Sequence, residues 1–414
     1  MIENIVLNNS KKVQNMESER LIRSPRDDSE ELIRFKHEGD IFRLDPIRLL
    51  QRKLSKTLPS SINGQPTVED LGRETLLLSR LAWKLIQIFG FGYQWIMMTI
   101  RLIIFAILLF PAIIRLVYQY LNSNSVLNIS YGPKRRNLLD VFLPPDPTTL
   151  PAKKHPVLIF VSGGAWIIGY KGWGAHFGRI LSAHDIIVVN PDYRNFPQGT
   201  ISDMVSDIEL SVQWVFDNIQ DYGGDVEQIY LVGQSAGAHI SCMSFLQERR
   251  PGITWQGSDL RGWIGISGAY NLEAHELHFH NRGLYRRIFR RIMENNLKGF
   301  SPSKLLRSSE RFSDPELLST LPSIYLFHGS EDQSIPDSSS FELAFVLSKL
   351  RVDVTPVIYS GKSHTDPIIE DPLRGDMNLL SDLMMIVKGS REKMDPTPLY
   401  SRTLVSMAKW VNPF

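Results

Sequence analysis

The feature that most constrains this chain is a tight turn, Gly233-Gln234-Ser235-Ala236-Gly237, set between an apolar run at 229–232 and a helix-prone run at 236–247. A serine lifted out on a sharp strand-to-helix bend needs neighbours without bulk, and Gly, Ala and Gly supply them. The helix that follows would aim its first N–H groups at negative charge developing beside the serine. Matches to G-x-S-x-G arise by chance in many chains of 414 residues. The placement between strand and helix therefore carries the weight, and it makes Ser235 the candidate nucleophile.

The same texture repeats along the chain. Residues 130–131 and 138–143 predict an opening β-hairpin. Short apolar runs at 157–162 and 186–190 have the length and composition of buried strands, and 262–267, 324–327 and 354–359 are further strands. Between them, 201–219 predicts a helix, because Met204, Ile208, Val212, Val215 and Ile219 share one stripe. Strands alternating with helices predict an α/β fold, a mostly parallel central sheet flanked by helices on both faces.

Three further pieces follow strands of this pattern. Ser162-Gly163-Gly164-Ala165-Trp166 closes the run that begins at 157. Paired glycines there let the main chain approach a carbonyl oxygen, so Gly163, Gly164, Ala165 and Ala236 are candidate oxyanion donors. Esterases of the α/β-hydrolase fold often carry His-Gly-Gly-Gly at this place. Ser162 and Ala165 depart from it, but main-chain N–H groups donate, so no donor is lost. The alternative is an ordinary glycine turn. Asp332, in His328-Gly329-Ser330-Glu331-Asp332 after the run 324–327, is the candidate acid, with Glu331 as its competitor. His364, in Gly361-Lys362-Ser363-His364 after the run 354–359, is the candidate base. The order Ser, acid, His is that of the α/β-hydrolases. His239 falls in the helix just after the nucleophile, too early for the base, and His328 reads as a structural hydrogen-bonder. Such acyl-enzyme chemistry needs no metal and no cofactor. His275, His278 and His280 would need a distant carboxylate to hold a metal, and they read as a polar loop.

The remaining segments bound the domains. Residues 1–66 are charged and predict a disordered arm. Residues 67–122 are hydrophobic, with sixteen uncharged positions at 85–100 and thirteen at 102–114, broken only by Arg101. One tilted membrane span centred near Phe105 fits if Arg101 lies near an interface. The alternative is a pair of cap helices packed on a soluble esterase. The catalytic domain is expected over 123–390, with a helical cap inserted at 272–321 and a C-terminal tail over 391–414. Within the cap, 285–293 is amphipathic. Arg286, Arg287, Arg290 and Arg291 form one face and Ile288, Phe289, Ile292 and Met293 the other. This predicts either a lid helix against anionic headgroups or a solvated cap helix. Basic residues lie on both sides of the apolar stretch, so they choose no orientation across a bilayer. A net charge of +2 from 46 basic and 44 acidic residues gives no electrostatic case for nucleic acid. The single cysteine, Cys242, excludes an internal disulfide and a multi-thiolate metal site.

Five stretches are more specific than these general signals. They are Val161-Ser162-Gly163-Gly164-Ala165-Trp166-Ile167-Ile168-Gly169-Tyr170-Lys171, residues 192–204 beginning Asp192-Tyr193-Arg194-Asn195-Phe196-Pro197, residues 233–239, His278-Phe279-His280-Asn281-Arg282-Gly283-Leu284-Tyr285-Arg286, and Lys362-Ser363-His364-Thr365-Asp366. Together they closely resemble the prenylcysteine (isoprenylcysteine) α-carboxyl methylesterases, over about 125–390. The resemblance implies Ser235, Asp332 and His364 as the triad. It implies a prenylated cysteine methyl ester as substrate and a lipid membrane as partner. The expected location is the endoplasmic reticulum or Golgi membrane, with the catalytic domain facing the cytosol. A general carboxylesterase or an arylformamidase would keep the same triad, and a catalytically silent binding module would keep the scaffold.

Overall fold

A computed structural model describes residues 93–145, 154–392, 394 and 396–413. The arm expected over 1–66 and the glycines at 90–92 lie outside the described residues. The chain divides into two compact units. One holds 64–381 and 393–414 and carries the sheet and every candidate site residue. Of the other, 382–392 are described, with Lys388 paired to Glu392 and Arg391 to Asp382.

Eight strands form one sheet: β1 (Ser125–Ser130), β2 (Leu138–Phe142), β3 (His155–Val161), β4 (Ile187–Pro191), β5 (Gly224–Gln234), β6 (Gly262–Ile266), β7 (Ile324–Gly329) and β8 (Val354–Tyr359). Their order is β1-β2-β4-β3-β5-β6-β7-β8. β1 with β2 and β2 with β4 are antiparallel, and all later pairs are parallel. The apolar runs mark these strands because parallel strands covered on both faces need no polar alternation. Every residue of β4 and β6 is buried, and only Pro156 of β3 is not.

The α-helices are α1 (Tyr93–Leu108), α2 (Phe110–Leu121), α3 (Ala175–Ser182), α4 (Ile201–Asn218), α5 (Ala236–Leu246), α6 (Leu272–Asn281), α7 (Arg286–Ile292), α8 (Pro302–Ser308), α9 (Pro315–Ser319), α10 (Ser338–Lys349), α11 (Asp371–Arg374), α12 (Asn378–Lys388) and α13 (Arg402–Val411). The stripe predicted from Met204 to Val215 is buried on α4, which starts in a capping box between Thr200 and Asp203. Helices α6 to α9 fill the insertion at 272–321. On α7 the apolar face, Ile288, Phe289 and Ile292, is buried. Two of its four arginines meet protein: Arg290 pairs with Glu276 at 2.5 Å, and Arg291 lies over the Phe196 ring at 5.8 Å.

The single tilted span expected near Phe105 is not what forms. The apolar stretch breaks at Leu109 into two helices bent by 70°, and among the described residues no single helix is long and apolar enough to cross a membrane. Only the bent pair passes such a test when taken together. The cause is Pro111, in the first turn of α2. It has no N–H to continue the ladder, and its ring would clash with the carbonyl four residues back. Phe105, Leu109 and Ala112 line the inside of the bend and pack against Leu373, Val405 and Ala408. The tail read at 391–414 thus contains a packed helix, α13.

Candidate active site

The site lies where such sheets bind ligands, beyond the carboxyl ends of the parallel strands. Ser235 stands between β5 and α5, with φ 56° and ψ −122°, a positive-φ conformation that a non-glycine residue adopts only where its surroundings enforce it. The enforcing contacts are visible. The Ser235 N–H donates to the Ile266 carbonyl at 2.8 Å. A Cβ on Gly237 would stand 2.2 Å from the Val161 carbonyl oxygen, so α5 can approach β3 this closely only with glycine there.

Three side chains from three strand ends meet at Ser235. His364 Nε2 lies 2.8 Å from the Ser235 Oγ, and His364 Nδ1 lies 2.7 Å from Asp332 Oδ2. All three residues are buried. With the proton on Nδ1 facing the carboxylate, Nε2 is free to accept the serine proton. Asp332 Oδ1 accepts the Ser334 and Ile335 N–H groups at 2.8 and 2.9 Å. Burial pushes the Asp332 carboxyl up, but His364 and His328 beside it outweigh that and hold it well below the usual carboxylate range. Glu331, the competing acid, is exposed, and its N–H binds the Lys362 carbonyl. His328 lies between Ser340 Oγ and the Ile335 carbonyl, 2.8 Å from each, and 3.1 Å from Asp332 Oδ2, which orients the acid from behind.

The oxyanion candidates sit opposite. Gly164 has φ 134°, and Ala165 and Trp166 have φ 49° and 63°, so three consecutive residues leave the ordinary basins. Gly164 permits this: a Cβ there would stand 2.4 Å from the Gly169 nitrogen. Among the described residues, the N–H groups of Gly163, Gly164 and Ala165 have no hydrogen-bond partner. Ala236 is the first residue of α5, where a helix N–H lacks an internal partner. These unpaired donors beside a buried serine can stabilise a tetrahedral oxyanion.

Sequence reasoning found no role for two groups that hold this machinery in place. The Trp166 indole N–H donates to His239 Nδ1 at 3.1 Å, and His239 Nε2 meets the Phe300 carbonyl at 2.6 Å. The ring is therefore neutral with its proton on Nε2, and burial pulls its pKa down to about 4. It joins the oxyanion loop to the cap. The second group is the end of α13. Asn412 Nδ2 donates to Thr365 Oγ1 at 2.6 Å and to Glu370 Oε1 at 2.7 Å, while Lys409 pairs with Asp366 at 2.7 Å. The loop carrying His364 is thereby tied to the C-terminal helix. Nothing local in the sequence signals either link. His275 and Glu276 are buried on α6, and His278 Nε2 meets the Gln333 and Ser334 carbonyls. Among the described residues no group of His, Cys, Asp or Glu converges as a metal site.

Comparison with known proteins identifies a family and a fold. A family model described as BD-FAE matches residues 139–260. A probable isoprenylcysteine alpha-carbonyl methylesterase of Oryza sativa subsp. japonica is 44% identical over 364 residues, covering 84% of this chain and 86% of that protein. The isoprenylcysteine alpha-carbonyl methylesterase of Arabidopsis thaliana is 41% identical over 361 residues, covering 82% of each. Among solved structures, esterase B of Lactobacillus rhamnosis superposes with a TM-score of 0.54 at 15% identity, covering 72% of this chain and 97% of that one. That likeness shows the fold alone, a mostly parallel sheet flanked by helices.

Proposed function

The chain belongs to the isoprenylcysteine alpha-carbonyl methylesterase family, and from that premise we propose that it removes the methyl ester from a prenylated cysteine with Ser235 as nucleophile. It is a carboxylic ester hydrolase of the α/β-hydrolase fold. In the proposed reaction His364 Nε2 takes the Ser235 proton while Oγ attacks the ester carbonyl carbon. The oxyanion is held by the N–H groups of Gly163, Gly164, Ala165 and Ala236. Collapse expels methoxide, which takes the proton from His364 and leaves as methanol. Water, deprotonated by His364, then attacks the acyl-enzyme and releases the free carboxylate. Asp332 keeps the imidazole tautomer and stabilises the imidazolium without itself taking a proton.

The observation that carries this reading is the unbroken relay of 2.8 and 2.7 Å from Ser235 through His364 to Asp332, beside unpaired N–H groups. The proposal includes a membrane partner. Its support is the outer face of α1 and α2, where Ile100, Ile103, Ile107, Phe110, Ile114 and Val117 are exposed. An apolar surface of this kind suits a bilayer interface, in which a prenylated substrate would also reside. The endoplasmic reticulum or Golgi membrane is the location that the resemblance implies. The test is hydrolysis of farnesylcysteine methyl ester by the purified chain beside Ser235→Ala. Wild-type turnover with loss of about 10³-fold or more in the variant is expected. Turnover of short soluble esters with none of the farnesyl substrate would instead make the chain a general carboxylesterase.

A further inference from the structure

Three large apolar side chains stand out on the loop directly after the oxyanion glycines: Ile168 is 44% exposed, Tyr170 43% and Trp173 66%. Two close approaches place the start of this loop, the Ile168 backbone, near Ser235. The point where a Cβ on Gly163 would stand is 2.8 Å from the Ser235 Cβ. The equivalent point on Gly164 is 2.7 Å from the carbonyl carbon of Ile168. Ile168 is therefore one backbone layer away from the residue that would carry the acyl group.

The loop is held rigidly. The Trp173 indole N–H donates to the Ile168 carbonyl at 3.1 Å, and the Tyr170 and Trp173 rings meet edge to face at 6.1 Å. Below them, the Gly169 carbonyl accepts from Asn195 at 2.6 Å and from Arg136 at 2.8 Å. Arg136 pairs with Asp192, whose carboxylate also takes the Lys171 N–H, and the buried Lys171 ammonium pairs with Asp140. Removing either partner of such buried charges is expensive, so the root of the loop has one placement. A single exposed apolar residue needs no explanation, but three on a pinned backbone beside a nucleophile form a preorganised apolar surface.

We propose that Ile168, Tyr170 and Trp173 form the lip that holds the isoprenoid chain while Ser235 attacks the ester. This deepens the methylesterase reading and rests on it. The substrate's own connectivity supports this occupant. In an S-prenylcysteine methyl ester the thioether sulfur is three bonds from the ester carbonyl carbon, roughly 4 Å. The chain must therefore leave the site close to Ser235, within reach of the loop that follows the oxyanion glycines. Trp and Tyr offer broad, rigid apolar faces at low conformational cost, which suits a methyl-branched polyene.

The test compares kcat/KM for N-acetyl-S-farnesylcysteine methyl ester with that for N-acetyl-S-methylcysteine methyl ester, in the full chain and in the double variant Ile168→Ser with Trp173→Ala. The ratio of farnesyl to methyl should fall tenfold or more, whereas Trp173→Phe should keep it within threefold. A ratio within threefold of wild type in the double variant overturns the proposal. So does a parallel loss of sedimentation with phosphatidylcholine vesicles, because the lip would then be a bilayer anchor. If wild type itself shows no preference for the farnesyl ester, the methylesterase reading fails as well. If wild type prefers it and the double variant keeps that preference, the lip alone is wrong.

Discussion

The carboxyl ends of β5, β7 and β8 and the outer face of α1 and α2 are built on opposite rules. At the strand ends, the candidate triad is buried and matched: Asp332 accepts from His364, Ser334 and Ile335, and His364 reaches Ser235. On the helix pair, one apolar face is exposed, and both exposed arginines reach back to main-chain carbonyls near the C-terminus. Arg101 donates to the Val411 and Asn412 carbonyls at the end of α13, and Arg115 to the Leu399 carbonyl. The difference shows what each region offers. The strand ends bring the candidate serine, histidine and aspartate into one hydrogen-bonded relay. The helix pair leaves one apolar face exposed, and that face is where the proposed membrane partner would lie.

The largest effect should come from the polar region. Asp332→Asn keeps the shape but leaves His364 in the wrong tautomer, so kcat should fall by about 10⁴-fold with the fold intact by circular dichroism. A variant retaining a tenth of wild-type activity would show that the buried match at Asp332 is not what activates the serine.

Next is the inner face of the helix pair. Phe105→Ala removes a ring from the cluster with Leu373, Val405 and Ala408, and urea denaturation should show a loss of about 3 kcal/mol. A loss below about 1 kcal/mol would mean that α1 is held to α13 mainly by its arginine contacts.

A third effect tests the link between the two regions at Glu370. Burial, with Asp366 adding to it, raises this carboxyl to about 7 from an ordinary 4.5. The folded chain therefore keeps the proton to higher pH than the unfolded chain does. Stability from this group is full below about pH 4.5, falls as pH rises toward about 7, and is flat above. Glu370→Gln preserves the oxygen that accepts from Thr365 and Asn412 and has nothing to titrate. It should match wild type near pH 5 and exceed it by about 1–3 kcal/mol near pH 8 in paired melts. Identical pH profiles would remove Glu370 from the account.

The smallest effect on stability belongs to the outer face. Ile103→Ser with Ile107→Ser should change unfolding free energy by only about 0.5 kcal/mol, because both side chains are already exposed. Vesicle flotation should nevertheless fall by about tenfold if this face meets lipid. Unchanged flotation would leave the apolar face without a lipid partner.

Much of the fold was legible because its signals are local. The buried strands announce themselves as short apolar runs, and the residues nominated at 235, 332 and 364 each follow a strand; the one before His364, at the sheet edge, has no buried residue. The order Ser, acid, His together with placement after a strand pointed to His364 as the base. What was not legible depends on pairs far apart in sequence. Arg101 reads as a charge interrupting a membrane span, yet it lies against the end of a helix 310 residues away. His239 reads as a bystander after the nucleophile, yet it bridges Trp166 and Phe300.

The sequence by itself determined the alternation of strands and helices and the order of nucleophile, acid and base, because strand burial and turn chemistry act over a few residues. Tertiary structure decided that the apolar stretch bends at Leu109 and packs one face on α13. It also decided that Asp332 rather than Glu331 faces His364, and that Lys409 and Asn412 hold the loop beside the nucleophile. Those outcomes rest on which distant surfaces meet, and a buried polar group finds its partner only when the chain closes around it.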